Sequence, residues 1–180
     1  MDKKQWVLVS LMLIIPTAWS GGMTSRGAIL TQHSVSLAMA LTMAHAARVK
    51  CKADGFDVSV VVVDRAGVPI LLMRSDTANP HNAGLARRKA YTALTFRQSS
   101  RDWARAVAAT RAIAAQRDLK EVIALSGGEP LMWGKEPIGA IGVSGATVLN
   151  EDDRCAQAGV KSVLQILEPG ARAEQSSHKR

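Results

Sequence analysis

The chain has 180 residues, 47% of them apolar and 21% charged, with a formal net charge of +8 at neutral pH. That length suits one domain with short appendages, and the apolar share supports a packed core, which excludes global disorder. No self-similar repeat of about 20–50 residues runs through it, which excludes solenoids and propellers.

The first twenty residues do not belong to the expected fold. Met1–Gln5 is short and basic, an apolar run follows from Trp6 to Trp19, Pro16 breaks it, and Ala18 and Ser20 satisfy the small-x-small cleavage rule. This is the layout of a secretory signal peptide, with cleavage near Ser20 and a periplasmic or secreted product. The run is shorter than the roughly 20 residues that span a bilayer, so no stable membrane anchor is expected. Residues 21–33 read as an N-terminal extension, 34–168 as the domain and 169–180 as a polar, frayed tail.

Within the domain, Ser34–Ala53 has helical periodicity, with Ser34 or Ser36 as cap and Gly55 as closure. Val58–Val63 follows as a strand covered on both faces, and Asp64-Arg65-Ala66-Gly67 places Asp and Gly where a tight turn wants them. Ile70–Arg74 returns as the second strand of this hairpin. Asp76–Asn82 is a loop, since Asn79-Pro80 disfavours helix just before the proline. Helices are expected over Gly84–Phe96 and Ser99–Gln116, with Ser99 or Ser100 as cap and Asp102 in the first turn. Arg97, Arg101 and Arg105, spaced by four, would line one helix face.

Glu121–Leu125 is a candidate first strand of a three-stranded meander. Ser126–Pro130 is its turn, Pro130–Trp133 its second strand, Gly134-Lys135 a two-residue connection, and Ile138–Gly145 its third strand. Asn150–Leu167 closes the chain as a helix. The order gives an α+β class: one domain, with a mainly antiparallel sheet (hairpin plus three-stranded meander) packed with helices.

Gly139, Gly142 and Gly145 invite comparison with a phosphate loop. No lysine and Ser/Thr pair follows the last of them, and no βαβ unit surrounds them, so no nucleotide is expected. Glycine inside a strand marks close approach of a helix or a ligand. The turn after Gly145 leads into a helix start, where an anion could sit, but Glu151-Asp152-Asp153 already complements that end.

Cys51 and Cys155 are the only cysteines. In an oxidising compartment they are expected to bridge, the alternative being two separate buried thiols. The basic residues from Arg87 to Lys120 form a solvated face or an anion-attracting surface. Nucleic acid is not expected, since export and the lack of aromatics argue against it.

Taken together, VVVDRAGVPILLMRSD, ARRKAYTALTF and SGGEPL…EPIGAIGVSGA…EDDRCAQAG resemble the GlcG/HbpS-like family of haem-binding or "haem-degrading domain" proteins. The resemblance covers about Val35 to Leu167. It implies a profilin-like α+β fold, homo-oligomers, haem as a possible cofactor, and a cysteine pair like that of exported members. The segment GGEPL, with Glu129 where the family commonly has an apolar residue, departs from the pattern.

Of the four histidines, His33 precedes the first helix and His178 lies in the tail, so neither is expected to be held rigidly. His45 reads as a core-edge residue. His81, in a loop ahead of a helix, is the candidate haem-iron ligand. Arg87, Arg88 and Lys89 could meet the propionates, and Tyr91 could hydrogen-bond a ligand or serve as an alternative iron ligand. Asp64 is assigned to its turn, and Glu129 and Glu136 lack a paired carboxylate. The leading expectation is an exported haem-binding protein. An enzyme acting on haem or a small catabolite, and an oligomeric accessory protein, are the alternatives.

Overall fold

In a computed structural model of the chain, residues 29–148 and 150–177 are described, and the predicted signal peptide, most of the predicted extension and His178 lie outside them. From His33 onward the described residues form one compact unit. Its elements are α1 (Leu37–Ala53), β1 (Ser59–Asp64), β2 (Pro69–Arg74), α2 (Asn82–Phe96), α3 (Ser100–Ala109), a 3₁₀ segment (Arg111–Asp118), β3 (Gly128–Trp133), β4 (Glu136–Ser144) and α4 (Glu151–Ser177). The last helix extends to Ser177, into the segment expected to fray.

The local signals explain most of these boundaries. The Ser36 hydroxyl accepts from Met39 N and caps α1, and the Ser99 hydroxyl accepts from Asp102 N and caps α3. Asp64 Oδ1 accepts from Ala66 N at 2.8 Å and Val68 N at 2.9 Å, which folds the β1–β2 turn around one carboxylate.

The sheet is antiparallel throughout, in the order β2-β1-β4-β3. β1 is buried on both faces, as its unbroken run of valines requires. Val58, Val60, Val62, Ile141, Val143 and Leu131 meet α1 and α4 on one face. Val61, Val63 and Ala140 meet Ala86, Ala90 and Ala93 of α2 on the other. Small residues let α2 sit close: a Cβ at Gly142 would stand 2.0 Å from the Ala86 carbonyl oxygen. Helix packing therefore accounts for that glycine.

The cysteines form a disulfide. Cys51 of α1 and Cys155 of α4 are bridged with Cα atoms 5.5 Å apart, 104 residues separated in sequence. It ties the two helices of one face together.

Three expectations are corrected. The meander has two strands, not three: among the described residues Val122–Ala124 joins no sheet. Its Ile123 N–H donates to Thr92 Oγ1 (2.9 Å), and its Val122 carbonyl accepts from Arg88, so α2 side chains satisfy the backbone groups a neighbouring strand would have used. The helix expected over Ser99–Gln116 breaks at Thr110, which is extended (φ −120°, ψ 105°), and resumes as a 3₁₀ turn. Arg97 stands in the left-handed region (φ 54°) between α2 and α3, so it shares no helix face with Arg101 and Arg105. Those two pair with acidic neighbours, Arg101 with Asp102 and Asp153, Arg105 with Asp102.

Candidate functional site

A cavity of about 420 Å³ opens beside the first turns of α2. Three chain segments wall it: Asn79, His81, Asn82 and Leu85 with Lys89, then Leu125–Ser126, and Ser144–Val148 with Asn150 and Asp152. Its position follows from the fold. The end of β4, the loop before β3 and the start of α4 converge where α2 begins.

The floor is an ion pair. Lys89, 3% exposed, donates to Asp152 Oδ2 (2.7 Å), the Val143 carbonyl (3.0 Å) and Ser144 Oγ (3.3 Å). A buried ammonium needs partners for all three protons, and this one has them. Asp152 Oδ1 accepts from Ala146 N (3.0 Å), and Asp153 Oδ1 accepts from Gly127 N (2.6 Å). The acidic run at the start of α4 thus does more than complement a helix end: it fastens both loops of the cavity. Burial pushes the Asp153 carboxyl up from its ordinary range, against the Gly127 N–H and Arg101, which pull it down. Glu129 is likewise raised by burial, partly offset by the hydrogen bond from Gln157.

His81 stands exposed at the cavity rim as the residue preceding α2, and its side chain makes no capping bond. Lys89 lies on the floor below it. The other candidates point elsewhere. Arg87 pairs with Glu121, and Arg88 donates to the Val122 carbonyl. Tyr91 lines a second cavity of about 290 Å³ with Arg65, Thr95, Arg97 and Pro137. His45 is exposed on α1. His33, expected to be loosely held, instead places Nδ1 3.2 Å from Glu136 Oε2 and its ring edge-on to Trp133. Glu136 also pairs with Arg65, so it serves that corner of the sheet.

Sequence reasoning missed Asn82, Asp152, Ser144 and Gly145 as cavity residues. One signal was available: Pro80-His81-Asn82 opens a helix with no Ser, Thr or Asp at its cap, an absence that leaves the start of α2 without a side-chain partner.

Over this geometry, the sequence profile described as "Haem degrading protein HbpS-like" matches residues 35–161. The chain belongs to the HbpS-like family. That is the family its motifs resemble. Streptomyces reticuli HbpS, solved as a double mutant, superposes with a TM-score of 0.72 at 33% identity, over 77% of this chain and 92% of that one. An uncharacterized 15.0 kDa protein from the dhaT-dhaS intergenic region of Citrobacter freundii is 32% identical over 123 residues, 67% of this chain and 85% of that one. The structure of a PduOC:heme complex superposes with a TM-score of 0.66 at 22% identity, over 73% of this chain and 96% of that one, a likeness of fold.

Whether this cavity fits a haem is decided by its donor set. The iron end fits: an exposed imidazole without a hydrogen-bond partner among the described residues stands beside the apolar Leu85, Leu125 and Val148. The acidic edge of a haem would find no free cation among the cavity's described residues, because Lys89, Arg87 and Arg88 are all engaged. The carboxylates of a haem held here would therefore be left to the solvent at the open mouth.

Proposed function

We propose that this is an exported small-ligand binding protein that takes haem at the cavity beside α2, with His81 facing the iron. The observation that carries the reading is His81: an imidazole with no partner among the described residues, on the rim of a cavity of the size that holds small ligands. The family's description as haem degrading and the haem bound to the PduOC relative support haem as the occupant. Bound haem supplies a redox-active iron. The chain's own residues bind and orient it: His81 from the rim, Leu85, Leu125 and Val148 as apolar contacts, and the Lys89–Asp152 pair as a fixed floor.

The Cys51–Cys155 disulfide supports export, since such bonds persist in oxidising compartments. Exposed Leu37, Leu41 and Val49 along α1 support self-association, which light scattering after size exclusion would measure. The family description also favours a second reading, in which the bound haem is turned over.

A hemin titration of the signal-free protein, followed by absorbance beside His81→Ala, tests the first reading. A saturable, sharpened Soret band that weakens at least tenfold in the variant is expected. An unsaturated spectrum identical in both proteins would remove haem as the ligand. Loss of the band on adding a reductant in the presence of dioxygen, with a haem breakdown product formed, would move the protein to the enzymatic reading.

A further inference from the structure

The second cavity, of about 290 Å³, lies between the β1–β2 turn and the last turns of α2. Arg65, Tyr91, Thr95 and Arg97 give it polar walls, and Leu94 and Pro137 an apolar side. Gly67, at φ +79°, brings the turn onto the Tyr91 ring, since a Cβ there would stand 2.8 Å from Tyr91 Cε2. No carboxylate is among the described residues that line the cavity. Arg65 is paired with Glu136, which also lies 3.2 Å from His33 Nδ1. Arg97 is exposed and forms no ion pair among the described residues. The two guanidiniums are thus offset by one carboxylate, and the cavity keeps a positive charge.

Arg97 also stands where the backbone disfavours it. It ends α2 in the left-handed region (φ 54°, ψ 32°), where glycine carries no Cβ penalty and is the usual residue. The helix dipole favours a cation at this end, but a cation at Gln98 would supply that attraction without the left-handed backbone. What position 97 adds is a guanidinium on the cavity wall. Its planar fork meets an oxyanion through two parallel charge-assisted hydrogen bonds, and Tyr91 and Thr95 bring hydroxyl-bearing side chains to the same wall. We propose that this cavity is a second binding site, for a small ligand bearing an oxyanion (a carboxylate or a phosphate), with Arg97 as the residue that recognises the charge. The site is independent of the haem reading. His81 precedes the 15 residues of α2 and Arg97 follows them, which at about 1.5 Å per residue sets the two cavities roughly 20 Å apart.

Uniformly ¹⁵N-labelled signal-free protein is titrated with succinate, with inorganic phosphate and with uncharged succinamide, ionic strength being held constant with chloride. The Arg97 Nε–H and the backbone amides of Ala66, Thr95 and Arg97 are followed by NMR. Succinate, phosphate or both are expected to shift these signals saturably, leaving Leu125 and Val148 of the other cavity unmoved, and the tighter binder identifies the oxyanion. Succinamide is expected to bind at least tenfold more weakly than succinate if the carboxylate is the tighter binder. Arg97→Gln is expected to weaken the tighter anion at least tenfold, the loss of a charge-assisted pair. Arg97→Gly removes the same group and relieves the left-handed backbone, so it is expected to lose the anion while unfolding at a temperature no lower than the parent's. Shifts with neither anion, shifts confined to Leu125 and Val148, or undiminished binding in Arg97→Gln would each overturn the proposal. A lowered unfolding temperature in Arg97→Gly would also overturn it, because the side chain would then be holding the α2–α3 corner together.

Discussion

The two faces of the sheet solve different problems with the same strands. On the α1–α4 face, the valines of β1 and Ile141, Val143 and Leu131 pack against Ala40, Met43, Ala44, Ala47 and Val163, and the Cys51–Cys155 bridge locks the two helices. On the α2 face, alanines and Gly142 bring the helix close over a thinner apolar layer, with the buried Lys89–Asp152 pair and a cavity beside its start. The first face is a stability device. The second keeps polar groups buried at a cost, which is where binding sites are found. If this division is right, substitutions on the first face change stability and leave ligand binding intact, while those around the start of α2 change both.

The largest effect is expected at the cavity floor. Lys89→Met leaves Asp152 buried without its cation and should destabilise the fold by about 3–5 kcal/mol in urea denaturation. Adding Asp152→Leu should recover part of that loss, because an apolar pair replaces an orphaned charge. A single Lys89→Met variant as stable as the parent would mean that the pair is not the structural floor.

The disulfide comes next. Replacing Cys51 and Cys155 together by alanine should cost about 2–4 kcal/mol, since the bridge closes a long loop in the unfolded chain. Ligand affinity at a temperature where the variant stays folded should not move. A matching loss of affinity would erase the distinction between the faces.

The smallest effect is a pH dependence. Burial raises the carboxyls of Asp153 and Glu129 above their ordinary range. A group whose folded pKa is raised holds its full stabilising contribution below the unfolded value and loses it as pH rises through the folded value. From about pH 4 upward the parent should therefore lose stability relative to an Asp153→Asn, Glu129→Gln double variant. Asp57 acts in the opposite sense: its hydrogen bonds from Thr77 and Lys52 lower its pKa, so its contribution fades as pH falls. It is present in both proteins and cancels in the difference. A stability difference that is flat with pH would contradict the burial of the two carboxyls.

Much of this fold was legible in the sequence because its signals are local. Asp64 and Gly67 specify their turn, Ser36 and Ser99 their helix starts, and the unbroken valines of β1 its two covered faces. Val122–Ala124 was misjudged because strand propensity does not reveal who satisfies the backbone: Arg88 and Thr92 do so from a helix some thirty residues earlier. Of the cavity residues, His81 and Lys89 were legible, but the pairing of Lys89 was not. Lys89 is separated by 63 positions from its partner Asp152, and no local pattern links them. Arg87, Arg88 and Lys89 stand together in sequence, but a helix turns successive residues to different sides, so one lies on the cavity floor and two are drawn to the Glu121–Val122 segment.

The central claim is that ligand enters beside α2, and paramagnetic broadening by hemin tests it most directly. In ¹⁵N-labelled protein at substoichiometric hemin, the backbone amides of His81, Leu85, Leu125, Gly145 and Val148 should broaden first, with α1 and Arg65, Tyr91 and Arg97 little affected. Broadening centred on Tyr91 and Arg97, or spread along α1, would place the ligand elsewhere and contradict the account.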